Sequence, residues 1–373
     1  MKRLIVCCDG TWQDLDGNYP TNVVKIAQAI KTIAHDGVPQ ILYYSEGIGT
    51  RSSRLDKMFG GAFGWGIDRR IQNAYRFLCC NYEEGDEIYL FGFSRGAYTA
   101  RSLAGLIYKC GLLKRCHIRK TRNAYELYRN QTISPAQEAA VKFRQQYAVH
   151  LPTDAPGTQI PMTLLGCWDT VGSLGVPNTF PLSRLINRKY RFYDTRLNPK
   201  VQHALHAVAI DESRSVFNVT HMRGHEDRQN QVSEVWFTGT HGCVGGGREK
   251  NRGLSDITLQ WMMNRMKELG LGLEFVENLN EVVEGGLQPD PYLPFDRETG
   301  LFDWLGTTTR SLVDQKDEDY DKLKTQDVSF LTQFFEQSIS GSVKARWRSA
   351  ALNPHYRPQP MLILKKWFDE MLH

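Results

Sequence analysis

The sequence predicts an α/β fold of the hydrolase type, a mostly parallel sheet with helices on both faces and helical insertions. Three observations carry this prediction. Apolar runs of strand length alternate with stretches of helical periodicity from the amino terminus onward. Residues 86–101 set the pattern Gly92-Phe93-Ser94-Arg95-Gly96 between one such run and a helical stripe, the sequence form of a serine on a sharp strand-to-helix turn. Asp169 and His241 each follow a further apolar run, in the chain order serine, acid, histidine.

Arg3 to Cys8 is continuously apolar after its first residue, as in a strand covered on both faces, and ends in Asp9-Gly10-Thr11. Thr21-Asn22 offers a cap for the stripe Val23, Ile26, Ala27, Ile30, Ile33 and Ala34, which closes before Gly37. Gln40 to Ser45 is a second strand. Residues 46–66 are glycine-rich and irregular, with Phe59, Phe63 and Trp65 among the glycines. A loop of this length either covers a site or folds on itself, and functional cover is the favoured reading. Ile67, Ile71, Ala74, Phe77 and Leu78 mark the next helix, residues 87–91 a strand, and Ala97, Ala100, Leu103, Ala104 and Ile107 the helix behind Ser94. Such alternation implies right-handed crossovers, with ligands bound beyond the carboxyl ends of the strands. Asp9 and Ser94 are therefore expected at one edge.

Residues 114–157 are helical and basic and interrupt the alternation as an insertion. Met162 to Trp168 resumes the sheet and ends at Asp169-Thr170-Val171-Gly172; residues 198–210 are expected to be helical; Val232 to Phe237 is a strand with Gly239-Thr240-His241 at its end. Ser255 is expected to cap a helix through Ile257, Trp261, Met262 and Met266. Beyond Gly270 prolines break the pattern, and Phe302, Trp304, Phe330, Leu331, Phe334 and Phe335 punctuate it. The expected organisation is a catalytic-type domain over residues 1–270 and helical decoration over 271–373 packed on the same sheet.

Composition narrows the function classes. The 41% hydrophobic and 23% charged fractions are those of an ordinary globular protein. A net charge of +5, from 46 basic and 41 acidic residues, is too balanced for a nucleic-acid partner, although it tolerates peripheral contact with an anionic membrane. The local cluster Lys114, Arg115, Arg119, Lys120 and Arg122 reads as a solvated face. No segment has the length of a membrane-spanning helix, and Asp9 interrupts any signal-peptide core, so a cytoplasmic protein is expected. The eight cysteines include no Cys-x-x-Cys and read as reduced, mostly buried thiols. His203/His206 and His221/His225 have no carboxylate or cysteine nearby in sequence to complete a metal set, and Gly245-Gly246-Gly247 lacks the Gly-Lys-Ser/Thr of a phosphate loop. No metal or cofactor is expected.

In the constellation so assembled, Ser94 is the candidate nucleophile, His241 the base and Asp169 the group that fixes the imidazole tautomer. The bland alternatives are a capping serine, a turn-capping aspartate and a structural histidine. Asp9 is an alternative acid or a positioning group. Gly10 and Thr11 are candidates for one oxyanion N–H, and Arg95 at the helix start for the other.

These residues resemble a family of uncharacterised bacterial and fungal α/β-hydrolase-fold proteins that includes the catalytic domain of type VI secretion phospholipase effectors. The resemblance rests on Cys8-Asp9-Gly10-Thr11-Trp12, Gly47-Ile48-Gly49-Thr50, Gly92-Phe93-Ser94-Arg95-Gly96-Ala97, Trp168-Asp169-Thr170-Val171-Gly172 and the stretch 236–247, spread over about residues 3–265. It implies an esterase of the phospholipase type, acting on a lipid or other ester through the same serine, aspartate and histidine. One departure stands out. The family pattern His-Ser-Asp-Val-Gly-Gly-Gly reads His241-Gly242-Cys243-Val244-Gly245 here, so Cys243 replaces an aspartate. Competing readings are an esterase or thioesterase for soluble acyl substrates and a non-catalytic scaffold on a hydrolase fold.

Overall fold

The computed structural model describes residues 1–10, 19–47, 61–149, 158–172, 197–224, 232–283, 286–296, 306–315, 317–349, 356–365, 367 and 369. Six strands, β1 (Arg3–Cys8), β2 (Gln40–Ser45), β3 (Glu87–Phe93), β4 (Met162–Trp168), β5 (Val201–Ala209) and β6 (Val232–Phe237), pair in parallel throughout, in the order β2-β1-β3-β4-β5-β6. Helices α1 (Asn22–Ala29), α2 (Gly61–Asn81), α3 (Arg95–Cys110), α4 (Thr121–Arg129), α5 (Glu138–Tyr147), α6 (His241–Gly245) and α7 (Arg252–Glu268) accompany the sheet, and α8 (Glu318–Thr325), α9 (Val328–Ser338) and α10 (Gly341–Arg348) follow it. This is the parallel α/β-hydrolase arrangement that the alternation predicts.

The central strands are apolar on both sides because both sides are covered. Leu4, Val6, Ile88 and Leu90 face α2 and α3, whereas Ile5, Cys7, Tyr89 and Phe91 face α1 and α7. Successive side chains of one strand thus enter two different cores, and no polar face remains to give the period-two pattern.

That burial explains one correction. Residues 198–210, expected to be helical, form strand β5 over Val201–Ala209, paired with β4 on one side and β6 on the other. Its alanines and leucine suit a helix as well as a strand, and from Ala204 onward every residue is buried, so periodicity carried no signal. Smaller differences are local. Helix α1 stops at Ala29, and Ile30 and Ile33 instead form short bridges to Phe275 and Pro39. Helix α7 starts at Arg252, so Ser255 lies inside it, its hydroxyl donating to the Arg252 carbonyl. Helix α2 begins at Gly61, within the stretch read as a loop, and the loop's residues 48–60 lie outside the described residues.

Helices α4 and α5 lie between α3 and β4 in sequence, and Ala124 and Tyr125 enter the same core as α3. The basic cluster begins where Arg115 pairs with Glu83 and donates to the Cys80 carbonyl. Glu83 precedes the start of β3, so this patch sits at the amino edge of the sheet, opposite the edge where Ser94 emerges. After α7 the chain returns to the outer side of β6. Trp236 donates from its indole to the Leu312 carbonyl, Ile339 bridges Trp236, and Leu331, Phe335, Val343 and Trp347 complete a third apolar cluster there. Phe330 and Phe334 stack on each other, with centroids 5.7 Å apart, and pack against this cluster.

Candidate active site

Register brings the strand ends together. Phe93 of β3 pairs with Trp168 of β4, so Ser94 and Asp169 leave adjacent strands at the same level, and the Ser94 N–H donates to the Trp168 carbonyl at 3.0 Å. Asp169 N–H in turn donates to the Ala207 carbonyl of β5 at 2.7 Å. His241 begins α6, a short turn beyond the end of β6.

Ser94 has φ 58 and ψ −122, a conformation that costs an L-residue energy, and the glycines around it make the turn sterically feasible. A Cβ on Gly92 would lie 2.5 Å from the Gly96 carbonyl oxygen, and one on Gly96 would lie 2.0 Å from the Cys8 carbonyl oxygen. Among the described residues three non-glycines have positive φ, and Ser94 and Asp169 are two of them. Strain concentrated at two adjacent strand ends is what a site built for chemistry, rather than for stability, would show.

The imidazole of His241 is held from three sides. Its Nδ1 lies 2.6 Å from Asp169 Oδ2, and since an ionised carboxylate only accepts, Nδ1 carries the proton and Nε2 is the unprotonated nitrogen of the neutral ring. Its ring lies between those of Phe93 and Phe217, at centroid distances of 4.7 and 4.8 Å. Its backbone N–H donates to Glu212 Oε2, and Glu212 is held by a bidentate pair with Arg214, whose guanidinium lies over the Phe217 ring.

Asp169 is buried, which by itself would raise its pKa; the charge of Arg310 beside it and the His241 N–H reverse the sign, and the carboxyl is held well below the usual carboxylate range. Arg310 forms a fork to both oxygens, at 2.6 and 2.9 Å, and Ala209 N–H supplies a further donor to Oδ1 at 2.9 Å. Nothing in the sequence pointed to Arg310. It follows an irregular stretch, 141 positions from its partner.

Asp9 lies at the same edge but is committed elsewhere. Its oxygens accept from the Gly10 N–H at 2.7 Å and from the Thr21 and Tyr44 hydroxyls, each at 2.8 Å, and the structure joins the imidazole to Asp169 instead. Gly10 stands beside the serine, a Cβ on it falling 3.3 Å from Ser94 Cβ, with its N–H turned to Asp9. Thr11 lies outside the described residues. Arg95 heads α3, so its N–H is at the positive end of the helix, and burial brings its guanidinium down to about 10. Cys243 is buried under the Gly239 turn, with the Thr240 hydroxyl 3.5 Å from its sulfur.

Two of the histidines weighed as metal ligands, His206 and His221, have another use. Thr170 N–H donates to His206 Nε2 at 3.0 Å, so His206 is neutral and donates from Nδ1 to Glu234, which also accepts from His221 Nδ1. This network braces the turn that carries Asp169. His225 lies outside the described residues, and among those described no group of three or more His, Cys, Asp or Glu could hold a metal ion. All eight cysteines are free thiols, Cys80 and Cys116 exposed and the others buried. No described helix is long and apolar enough to cross a membrane.

Comparison with known proteins adds the following. Residues 2–265 match the family described as "T6SS, Phospholipase effector Tle1-like, catalytic domain". An uncharacterized protein of Saccharomyces cerevisiae, YEL023C, is 30% identical over 230 residues, covering 58% of this chain and 32% of that protein. The chain therefore spans about a third of that relative's length. Among solved structures, an uncharacterized protein from Pseudomonas aeruginosa superposes with a TM-score of 0.39 at 15% identity, over 74% of this chain and 46% of that one. The Tle1 effector bound to the VgrG spike of the type 6 secretion system gives 0.34 at 16%, over 66% and 51%.

Proposed function

The chain belongs to the family of type VI secretion Tle1-like phospholipase effector catalytic domains, and we propose that it is a serine hydrolase that cleaves carboxylic esters of phospholipids through an acyl-enzyme on Ser94. The observation that carries this reading is the 2.6 Å contact between His241 Nδ1 and Asp169, made on the strand ends beside the strained Ser94 turn. Ser94 Oγ attacks the ester carbonyl carbon while His241 Nε2 takes the hydroxyl proton. The oxyanion develops at the start of α3, where the Arg95 N–H and the helix dipole favour negative charge. Collapse expels the alcohol, which leaves with the proton from His241, and water attacks the acyl-serine by the same route in reverse.

Lipid as the substrate class rests on the family. The aromatic residues Phe330, Phe334 and Phe335 pack against the outer side of β6 rather than forming a free apolar surface. The non-catalytic scaffold reading has Cys243, in place of the family aspartate, as its one hint, and that thiol is buried while the His241 ring is engaged by Asp169. The test is labelling of the native protein with a fluorophosphonate, followed by mapping of the modified residue, and hydrolysis of phospholipid vesicles against a short-chain ester. Label on Ser94 and faster turnover of phospholipid are expected. Absence of label, or label elsewhere, overturns the hydrolase, and labelling with no phospholipid turnover moves the substrate to soluble esters.

A further inference from the structure

Arg310 lies beyond residues 2–265, the span matched by the family, yet it is buried against the acid of the site. We propose that Arg310 is a positioning residue for the hydrolase chemistry, so that the segment 306–313 is part of the active site and not decoration upon it. The inference rests on the hydrolase reading above.

A single guanidinium ties together the parts that hold the imidazole. Its Nη1 donates to Asp169 Oδ1 at 2.6 Å and to the Ala209 carbonyl at 2.7 Å; its Nη2 donates to Asp169 Oδ2 at 2.9 Å and to the Phe217 carbonyl at 2.5 Å. Asp169 Oδ2 is the oxygen that receives His241, and the Phe217 ring stacks on His241. Arg310 therefore fixes both the carboxylate that orients the ring and the backbone of the residue that packs against it. Its own segment is fixed in turn. Thr307 bridges Arg214, Gly306 accepts from the Ser215 N–H at 3.0 Å, Thr308 N–H donates to the Ser213 carbonyl at 2.7 Å, and Leu312 is buried against Trp236.

The electrostatic consequence separates this role from simple bracing. With Arg310 present, part of the negative charge of Asp169 is answered by the guanidinium; without it, that charge faces the imidazole alone. Of the other charged groups close by, Glu212 is paired with Arg214, whereas Asp211, which accepts from the Tyr356 hydroxyl and the Gly239 N–H, is raised by burial to about 6 and is itself lowered by Arg310, so the profiles are compared in an Asp211→Asn background as well. Loss of Arg310 should therefore move the acid limb of the kcat/KM profile to higher pH as well as slow the reaction.

The experiment uses the full chain and compares Arg310→Met and Arg310→Lys with wild type, reading fluorophosphonate labelling of Ser94 and ester hydrolysis across pH. Arg310→Met is expected to lower kcat by about 10²-fold, the scale of a misplaced reacting group, with KM little changed and the acid limb moved up. Arg310→Lys, which keeps the charge and loses the fork, should recover the pH profile and only part of the rate. A folded Arg310→Met with wild-type kcat and pH profile overturns the inference while leaving the hydrolase reading intact. Should Arg310→Met fail to fold, the double variant Asp169→Asn/Arg310→Met, which removes both buried charges, is set against Asp169→Asn. With Asp169 already disabled, only the hold on the Phe217 backbone is left to lose, so the further drop in labelling is expected to stay well under the about 10²-fold of a misplaced reacting group, and a full 10²-fold or larger drop overturns the inference. A wild-type protein that labels nowhere overturns the hydrolase reading and this inference together.

Discussion

Gly96, two residues after Ser94, crosses the end of β1 so closely that a Cβ built on it would lie 2.0 Å from the carbonyl oxygen of Cys8. The obstacle is backbone of a central strand, which cannot swing aside as a side chain would. Gly96→Ala is therefore expected to destabilise the protein by at least about 2 kcal/mol and to displace Ser94. Gly341→Ala is the control, since a Cβ there meets nothing within 4 Å and alanine favours the helix. Thermal melts of the two variants should fall on opposite sides of wild type or nearly so; equal melting temperatures would refute the steric account.

Ser94 keeps its φ of 58 only because the surrounding sheet and helix impose it. Ser94→Ala retains that strain and should remain folded with a stability near wild type, while losing turnover by about 10⁶. Ser94→Gly removes the strain as well as the hydroxyl. Strain of this kind costs about 1–3 kcal/mol, against about 0.5–1 kcal/mol for the added freedom of glycine in the unfolded chain. Ser94→Gly is thus expected to be inactive and more stable than Ser94→Ala in denaturant unfolding. The opposite order would mean that the turn is not strained.

The two aspartates at this edge should separate cleanly. Asp169→Asn presents an amide to His241, favours the wrong tautomer and leaves Arg310 without its counter-charge; a loss of about 10⁴ in kcat is expected. Asp9→Asn loses part of its network with Thr21, Tyr44 and Gly10 and should cost about 1–3 kcal/mol of stability with a smaller effect on rate. The folded carboxyl of Asp169 is depressed below its unfolded value of about 3.9, so its contribution to stability is full above that value and drains away as pH falls toward the folded pKa. The stability advantage of wild type over Asp169→Asn should hold at pH 7 and shrink from about pH 5 downward. A gap that widened in acid would contradict the ion pair with Arg310.

What the sequence made legible is what local pattern encodes. Ser94 announces itself because the turn requires glycines at fixed offsets, and Asp169 and His241 because each closes an apolar strand. Arg310 has no such signature: its role is set by a contact with Asp169 across 141 positions, and arginines of this kind look in sequence like any surface cation. Strand β5 was hidden by burial on both faces, which erased the alternation of its side chains. Phe330 and Phe334 showed their apolar character but not its target, since a helical stripe does not say whether it faces lipid or β6.

Phe217 touches the His241 ring without supplying a charge or a hydrogen bond to it. The ring lies 4.8 Å from the imidazole at an interplanar angle of 28°, on a short turn whose carbonyl is held by Arg310 and under the guanidinium of Arg214. Phe93 is the other ring against His241, so the imidazole is confined by stacking even where Asp169 alone would let it swing about its hydrogen bond. Phe217→Ala opens that side. The Asp169 hydrogen bond is kept, and what loosens is the orientation of the ring, and with it the aim of Nε2 that the proposed mechanism requires. A displacement of about 1 Å costs up to about 10²-fold, so kcat should fall by about 10- to 100-fold with KM and the acid limb of the pH profile unchanged. Phe217→Tyr, which keeps the ring, should restore most of the rate. Steady-state kinetics across pH decide it: an unaltered kcat in Phe217→Ala would show that the carboxylate by itself is enough to aim the histidine.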